Sequence, residues 1–454
     1  MRLAARVAGS VQEMARGDPN PTKARPPAHP APGRHAHWHI ARRRHLLLRR
    51  GGLAALLAVV GPGLLAGLSD DDPAGITTYS ILGADYGYQL LWVLVLSTAA
   101  LIVFHQIAVR VGIVTGKGLM ELVRERYGRR VAQAVLLCLV VANMGTLCAE
   151  FAGVAAAFEL FGVGERYLVI PIVAAIVSLL VLRGSFRRVE HVLLAMSAVF
   201  VAYIGAGILA GPDWGAALRG TVVPSMPLTR DAVLVAVATL GTTLAPWGLT
   251  FIQSYAVDKR LGVKSIRYER IDVAVGAVLT GVIGAFVVVA CAATIHVSGI
   301  TIETAGDAAR ALEPLAGSFA ARLFGFGFLG AALLAVAVVP LATAYSISEV
   351  HGTKHDLNDT FDEARLFYLS YVAAVVIAAA VVMIPGVPLV TILFLTQALN
   401  AVLLLGVVPF LWRLAQERSL MGEHVLRGPE RVGSGLVLAM ILVSVLALGW
   451  LSFA

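Results

Sequence analysis

Three consecutive carboxylates, Asp70-Asp71-Asp72, are followed at once by Pro73, Ala74 and Gly75, within a long apolar stretch running from Leu53 to Leu82. Carboxylates inside hydrocarbon are strongly unfavourable unless they face protein, water or a cation, so acids in membrane segments mark ion or substrate paths. Pro73 removes a backbone donor and Gly75 admits non-helical angles. The stretch therefore reads as a membrane helix broken at mid-depth. Freed carbonyls and a carboxylate facing a cavity are the usual build of a substrate site in a secondary transporter. The alternative is a loop at the membrane surface with its acids in water. The halves flanking the break are too short to span a bilayer separately, which disfavours that alternative. Asp72 is the expected charged ligand. Asp70 and Asp71 cannot share its direction on a regular helix, where neighbours diverge by about 100°. They are assigned to the pathway.

A second interruption, Ala245-Pro246-Trp247-Gly248, splits the apolar run from Val233 to Val257. Two interrupted segments in corresponding positions point to an inverted-repeat transporter; two unrelated proline kinks are the bland alternative. Trp247 is expected to wall the pocket. Glu150, inside an apolar helix with Thr146 one turn earlier, is a candidate for cation attraction or proton movement. Thr77, Thr78 and Ser80 follow the first break, and their hydroxyls either meet the water shell of an ion or bond back to their own helix. Asn143 and Asn400 are expected in helix–helix hydrogen bonds. His296, His351 and His355 are read as interface or loop residues, and Glu349 as lining the inner exit. Cys138, Cys148 and Cys291 have no zinc or CxxC spacing and read as small buried hydrophobes.

The elements that must position these groups are membrane helices. The chain has 454 residues, 58% hydrophobic and 14% charged, with a mean hydropathy of +0.81. That composition is an all-α polytopic membrane protein. It leaves no room for a soluble catalytic domain, and no nucleophile–base pair or cofactor motif is present, so an enzyme is not expected. The net charge of +8 is read as lipid-facing and cytoplasmic-loop charge rather than as a nucleic-acid surface. Residues 1–45 form an Arg-, Pro- and His-rich tail, expected to be disordered and cytoplasmic and to touch anionic lipid. Residues 46–454 form the membrane domain. Eleven segments are expected, at 52–84 (broken), 89–112, 131–160, 166–182, 190–211, 231–257 (broken), 272–296, 322–349, 365–384, 388–412 and 433–453. Alternate loops collect Arg124, Arg126, Arg129 and Arg130, then Lys259, Arg260, Lys264, Arg267 and Arg270. This bias sets the N-terminus in the cytoplasm and the C-terminus outside, in a cell (inner) membrane. Repeat one covers about 52–211, repeat two about 231–412, and 433–453 is an added helix. The expected partners are a divalent ion and the bilayer, with the chain monomeric.

Gly61-Pro62-Gly63, Asp72-Pro73, the run from Asp85 to Trp92, Gly112-Ile113-Val114-Thr115-Gly116-Lys117, Arg124-Glu125-Arg126-Tyr127 and Leu420-Met421-Gly422-Glu423 resemble the Nramp metal-ion transporters. The resemblance covers nearly all of the chain after the basic tail. It implies a LeuT-like 5+5 inverted repeat with a divalent cation bound between broken helices one and six. By family position the ligand positions would be Asp72, the carbonyls of Ser69 and Thr242, Gly75 in the place of an Asn, Ala245 in the place of a Met, and Gln397. Three departures matter. The family's Asp-Pro-Gly-Asn stands here as Asp72-Pro73-Ala74-Gly75. Its Met-Pro-His stands as Ala245-Pro246-Trp247. Of an acidic pair tied to proton movement, the matching positions are Leu147 and Glu150. Together these look like the Nramp-related magnesium transporters, a divergent branch. Loss of the thioether leaves only oxygen donors, which suits hard cations. Gly75 and Ala245 are expected to enlarge the cavity for an ion that keeps its waters, as Mg2+ does. The implied function is import of Mg2+, with Mn2+ admitted, by alternating access and without a proton; the transported ion is substrate, and no cofactor is expected. The alternatives are a proton-coupled Mn2+/Fe2+ importer and, from another class, a metal-sensing membrane receptor that does not transport.

Overall fold

The computed structural model describes residues 70–162, 166–183, 198–356, 359–386 and 388–453. The basic tail, Ser69 and the first half of the first segment lie outside the described residues. Contacts divide the chain at Val60, and every described residue belongs to the second unit. Among the described residues all regular structure is helical.

The first break is followed by α1 (Pro73–Tyr86), then α2 (Leu91–Thr115), a short α3 (Leu119–Tyr127), the long α4 (Arg129–Leu160) and α5 (Arg166–Leu182). Next come α6 (Ala202–Leu209) and α7 (Trp214–Val222), then the two halves of the sixth segment, α8 (Arg230–Thr243) and α9 (Pro246–Asp258). The chain closes with α10 (Ile266–Cys291), α11 (Ala320–His351), α12 (Arg365–Val382), α13 (Leu389–Leu404), α14 (Val408–Leu414) and α15 (Gly428–Phe453). Eight described spans are long and apolar enough to cross a membrane, with α8 and α9 counted together as one. Three of the eleven expected segments are not among them. The first begins outside the described residues, α5 is a shorter apolar helix, and the fifth is described only from residue 198.

Each helix begins or ends for a local reason. Asp213 and Thr229 cap α7 and α8 by accepting from Ala216 and Ala232 N–H, relieving unpaired donors of the first turn. α2 and α11 stop at Gly116 and Gly352, both left-handed, the conformation that glycine adopts without penalty. Large apolar side chains such as Leu137, Leu168, Ile172, Ile176 and Leu446 remain exposed, as expected of helices whose outer faces meet lipid rather than water. Inside, α4 packs along α11 and α13, and α1 rests on α10, α8 and α13. Polar pairs tie the interior. Asn143 Nδ2 donates to Thr343 Oγ1 at 2.9 Å and Asn400 Nδ2 to Thr146 Oγ1 at 2.9 Å, the helix–helix role expected of both asparagines.

Some elements were not foreseen. α3, α7 and the short turns between Ala305 and Phe319 fall in stretches read as loops. They are too short and too polar to carry a membrane-length hydrophobic signal. The tenth segment is interrupted by a turn at 405–407, so 388–412 is two helices, α13 and α14.

Candidate cation site at the two helix breaks

Asp70 is still helical, Asp71 and Asp72 are not, and α1 starts at Pro73. Asp72 is the N-cap of α1: its Oδ1 accepts from the Gly75 N–H at 2.6 Å, with Pro73 in the first-turn position that needs no donor. The carboxylate is thereby held in a fixed direction at the break. On the other side α8 ends at Thr243, Leu244 turns out of the helix, Ala245 is extended, and Pro246 opens α9. Pro246 has no N–H to offer the Thr242 carbonyl four residues earlier, so the break exposes that acceptor by construction.

The two breaks meet. A Cβ on Gly75 would lie 3.4 Å from Thr242 Oγ1, 3.3 Å from Asp72 Oδ1 and 2.7 Å from the Asp70 carbonyl oxygen. This corrects one expectation: Gly75 does not enlarge a cavity here, because the space a side chain would take is filled by the Asp70 backbone. Above the breaks Tyr79 OH and Thr243 Oγ1 share a hydrogen bond of 3.0 Å, bracing α1 against α8.

Glu150 on α4 sets its carboxyl beside that of Asp72, close enough for a hydrogen bond between them once either carries a proton. The approach is made possible by Gly153, one turn along, where a Cβ would stand 2.5 Å from Pro73 Cβ. α13 reaches the site in a similar way: a Cβ on Gly241 would overlap the Gln397 carbonyl and stand 2.6 Å from Ala401 N. Gln397 is buried, and its Oε1 accepts from Asn400 Nδ2 at 3.0 Å, so the side-chain oxygen is engaged within α13. Thr78 bonds back to the Ala74 carbonyl at 2.8 Å, one of the two roles open to a hydroxyl at that position. Trp247 is 1% exposed and packs toward Phe251, their ring centroids 6.3 Å apart.

Every one of these groups is enclosed: Asp70, Asp71, Asp72, Glu150, Thr242, Ala245 and Gln397 are at most 4% exposed. Four carboxyls therefore sit in the interior, and among the described residues no Lys, Arg or His forms an ion pair with any of them. Two like charges about 5 Å apart repel by roughly 3 kcal/mol at an effective dielectric constant of about 20, before any desolvation is counted. Such a group of acids needs protons or a cation. The acids do not converge on one point, since among the described residues no three of His, Cys, Asp and Glu form a closed metal cage. The donors at the breaks are one carboxylate, backbone carbonyls and a hydroxyl, all oxygen. An ion there would keep part of its water shell, in the manner of Mg2+ or Mn2+.

The helix ends on one face are locked together. Gln253 Nε2 donates to the Lys117 carbonyl at 3.0 Å, and Tyr345 OH donates to Asp258 Oδ2 at 3.1 Å. Glu349 on α11 accepts from Ser254 Oγ of α9 at 2.6 Å and from the Met120 N–H at the start of α3 at 3.0 Å. Glu349, expected to line an inner exit, ties α11 to α9 and α3 through these bonds. His296 bonds the Ala84 carbonyl at 2.7 Å, and His351 and His355 bond local carbonyls, in the interface and loop roles expected. Sequence reasoning missed Gly153, Gly241 and Tyr79, whose roles are contacts between distant segments. It also missed His105, an imidazole inside an apolar helix.

The profile of the family described as "Nramp: Natural resistance-associated macrophage protein-like" matches residues 63–451. A curated relative, the divalent metal cation transporter MntH of Burkholderia ambifaria, is 29% identical over 417 residues, covering 89% of this chain and 91% of that protein. The manganese transporter of Eremococcus coleocola shares the fold, with a TM-score of 0.69 at 18% identity over 92% of this chain and 88% of that one. MhsT, solved with L-phenylalanine, also shares it, with a TM-score of 0.58 at 15% identity over 85% of this chain and 98% of that one. The architecture is thus the LeuT fold that the family resemblance implied. With the profile matched across nearly the whole described region, the chain belongs to the Nramp family.

Proposed function

We propose that this protein carries divalent cations across the membrane by alternating access, taking Mg2+ and admitting Mn2+, and moving them inward without a coupled proton. The observation that carries the reading is the set of enclosed carboxyls where the two helix breaks meet, with no cationic side chain among the described residues paired to them. Asp72 would hold the ion together with the Thr242 and Ala245 carbonyls and retained water. Ser69 and Gly75 belong to the same proposed ligand region, and Gln397 supports it from α13. Asp70, Asp71, Glu150 and Trp247 line the path. The names of the relatives point to divalent metals. The oxygen-only donor set at Ala245 and Gly75 favours hard ions over those that seek sulfur.

The driving force need not include a proton. A doubly charged ion moving inward gains about 4.6 kcal/mol per 100 mV, roughly three decades of concentration ratio. Leu147 and Trp247, at the family positions tied to proton movement, cannot titrate. One observation favours the proton-coupled reading: Glu150 stands beside Asp72, where its protonation and metal binding would be linked. The test is uptake of Mg2+, Mn2+ and Ca2+ into sealed proteoliposomes with lumenal pH recorded at the same time. Inside-negative voltage should drive saturable Mg2+ and Mn2+ uptake without acidifying the lumen. Concentrative uptake driven by a pH gradient at zero voltage, and lost in Glu150→Gln, would replace this reading with proton symport.

A further inference from the structure

We propose a second cation site next to the first, formed by the Asp70 carboxylate and the His105 imidazole where they meet over Gly248. It rests on the cation-carrying function proposed above and adds a resting point to it. His105 lies within α2 and is 1% exposed; Asp70 is 1% exposed. A Cβ placed on Gly248 would stand 3.1 Å from His105 Nε2 and 3.9 Å from Asp70 Oδ1. The two atoms therefore face one small region from opposite elements, and only the absence of a side chain at Gly248 keeps it open. His105 Nε2 and both Asp70 oxygens are buried and without a hydrogen-bond partner. Three buried polar atoms left unpaired at one place are unusual, because each forgoes the hydrogen bonds that water would give it.

The position gives the pair a place in the path. Gly248 is in the first turn of α9, just past the second break, and Asp70 is just before the first break. α9 and α2 both run to the face closed by Glu349, Gln253 and Lys117. An ion leaving Asp72 toward that face would meet Asp70 and His105 next. The chemistry differs from that of the first site. Imidazole nitrogen suits transition ions, whereas carboxylate, carbonyl and water suit Mg2+ and Mn2+ alike. The inner pair would accordingly hold Mn2+ more firmly than Mg2+. With only two side-chain ligands, the ion would retain most of its water.

The experiment uses the full chain in lipid nanodiscs with Mn2+ as the probe, read by pulsed electron paramagnetic resonance for coupling to imidazole nitrogen. Asp72→Asn should bind Mn2+ with a clear nitrogen signal, as the ion settles at the inner pair. Adding His105→Gln should abolish that signal. Gly248→Val, which fills the space between the two atoms without touching either residue's chemistry, should abolish it as well. Failure of Asp72→Asn to bind Mn2+, bound Mn2+ without nitrogen coupling, or coupling that survives His105→Gln would each overturn the site. Thermal unfolding of each variant, with midpoints close to that of the parent, separates loss of the site from loss of the fold. Uptake by the unaltered protein is measured alongside. Transport without nitrogen coupling sinks the inner site alone, whereas absence of transport sinks the cation-carrying function.

Discussion

Filling Gly75 should push the two halves of the first broken helix apart. Its Cβ position is 2.7 Å from the Asp70 carbonyl oxygen, and ordinary contact begins at 3.4 Å, so roughly 0.7 Å has to be found between backbone segments. The clashing atom is backbone, not the flexible end of a side chain. Overpacking of this kind costs about 1–3 kcal/mol, which is about 5- to 150-fold in the ratio of closed to open forms. Asp70 lies on one side of the break and Gly75 on the other, so the strain is released by opening the closed site rather than by local repacking. Gly75→Ala is therefore expected to lower the unfolding midpoint of the purified protein and to weaken Mn2+ affinity. Gly75→Asn carries the same clash but restores the amide of the family motif. The difference between the two variants thus isolates the ligand from the strain: Asn should regain Mn2+ affinity relative to Ala. A Gly75→Ala protein as stable and as active as the parent would show that the breaks do not pack as described.

Other outcomes follow from the same geometry. Ala245→Met introduces a thioether at the second break, and Cd2+ should then compete with Mn2+ uptake far better than it does in the parent; an unchanged ion order would place selectivity elsewhere. Gly153→Ala puts a methyl 2.5 Å from Pro73 Cβ and should cost about 1–3 kcal/mol in thermal stability, with a loss of uptake as Glu150 is carried away from Asp72. Ser254→Ala removes a 2.6 Å donor from the buried Glu349 carboxylate, so hydrogen exchange at the Met120 N–H, the other donor to that carboxylate at 3.0 Å, should speed up as that face loosens.

What was legible in the sequence was whatever the backbone itself dictates. Proline without a donor and glycine without a side chain mark both breaks, and an acid in an apolar helix marks Glu150. Their corresponding positions paired the two breaks, and the family motif added the LeuT-like fold and the ligand positions. What escaped was decided by contact. Thr78 and Gln397 are polar residues at good positions, yet one bonds back to Ala74 and the other is engaged by Asn400; nothing local distinguishes a committed polar group from a free one. Gly75 read as added space because its neighbour across the break cannot be seen from the chain. His105 lies 35 residues from Asp70 and 143 from Gly248, and no periodicity links them. Its only signal was an ionisable ring within a membrane helix, the same signal that singled out Glu150.

Asp72→Asn separates charge from architecture, because the Asn side-chain oxygen can still cap α1 at Gly75 N–H. Voltage-driven Mn2+ and Mg2+ uptake into proteoliposomes should be saturable in the parent and absent in this variant, while its unfolding midpoint stays within a few degrees of the parent's. Saturable uptake by Asp72→Asn at the parent's rate would mean that the ion does not pass through the site at the two breaks.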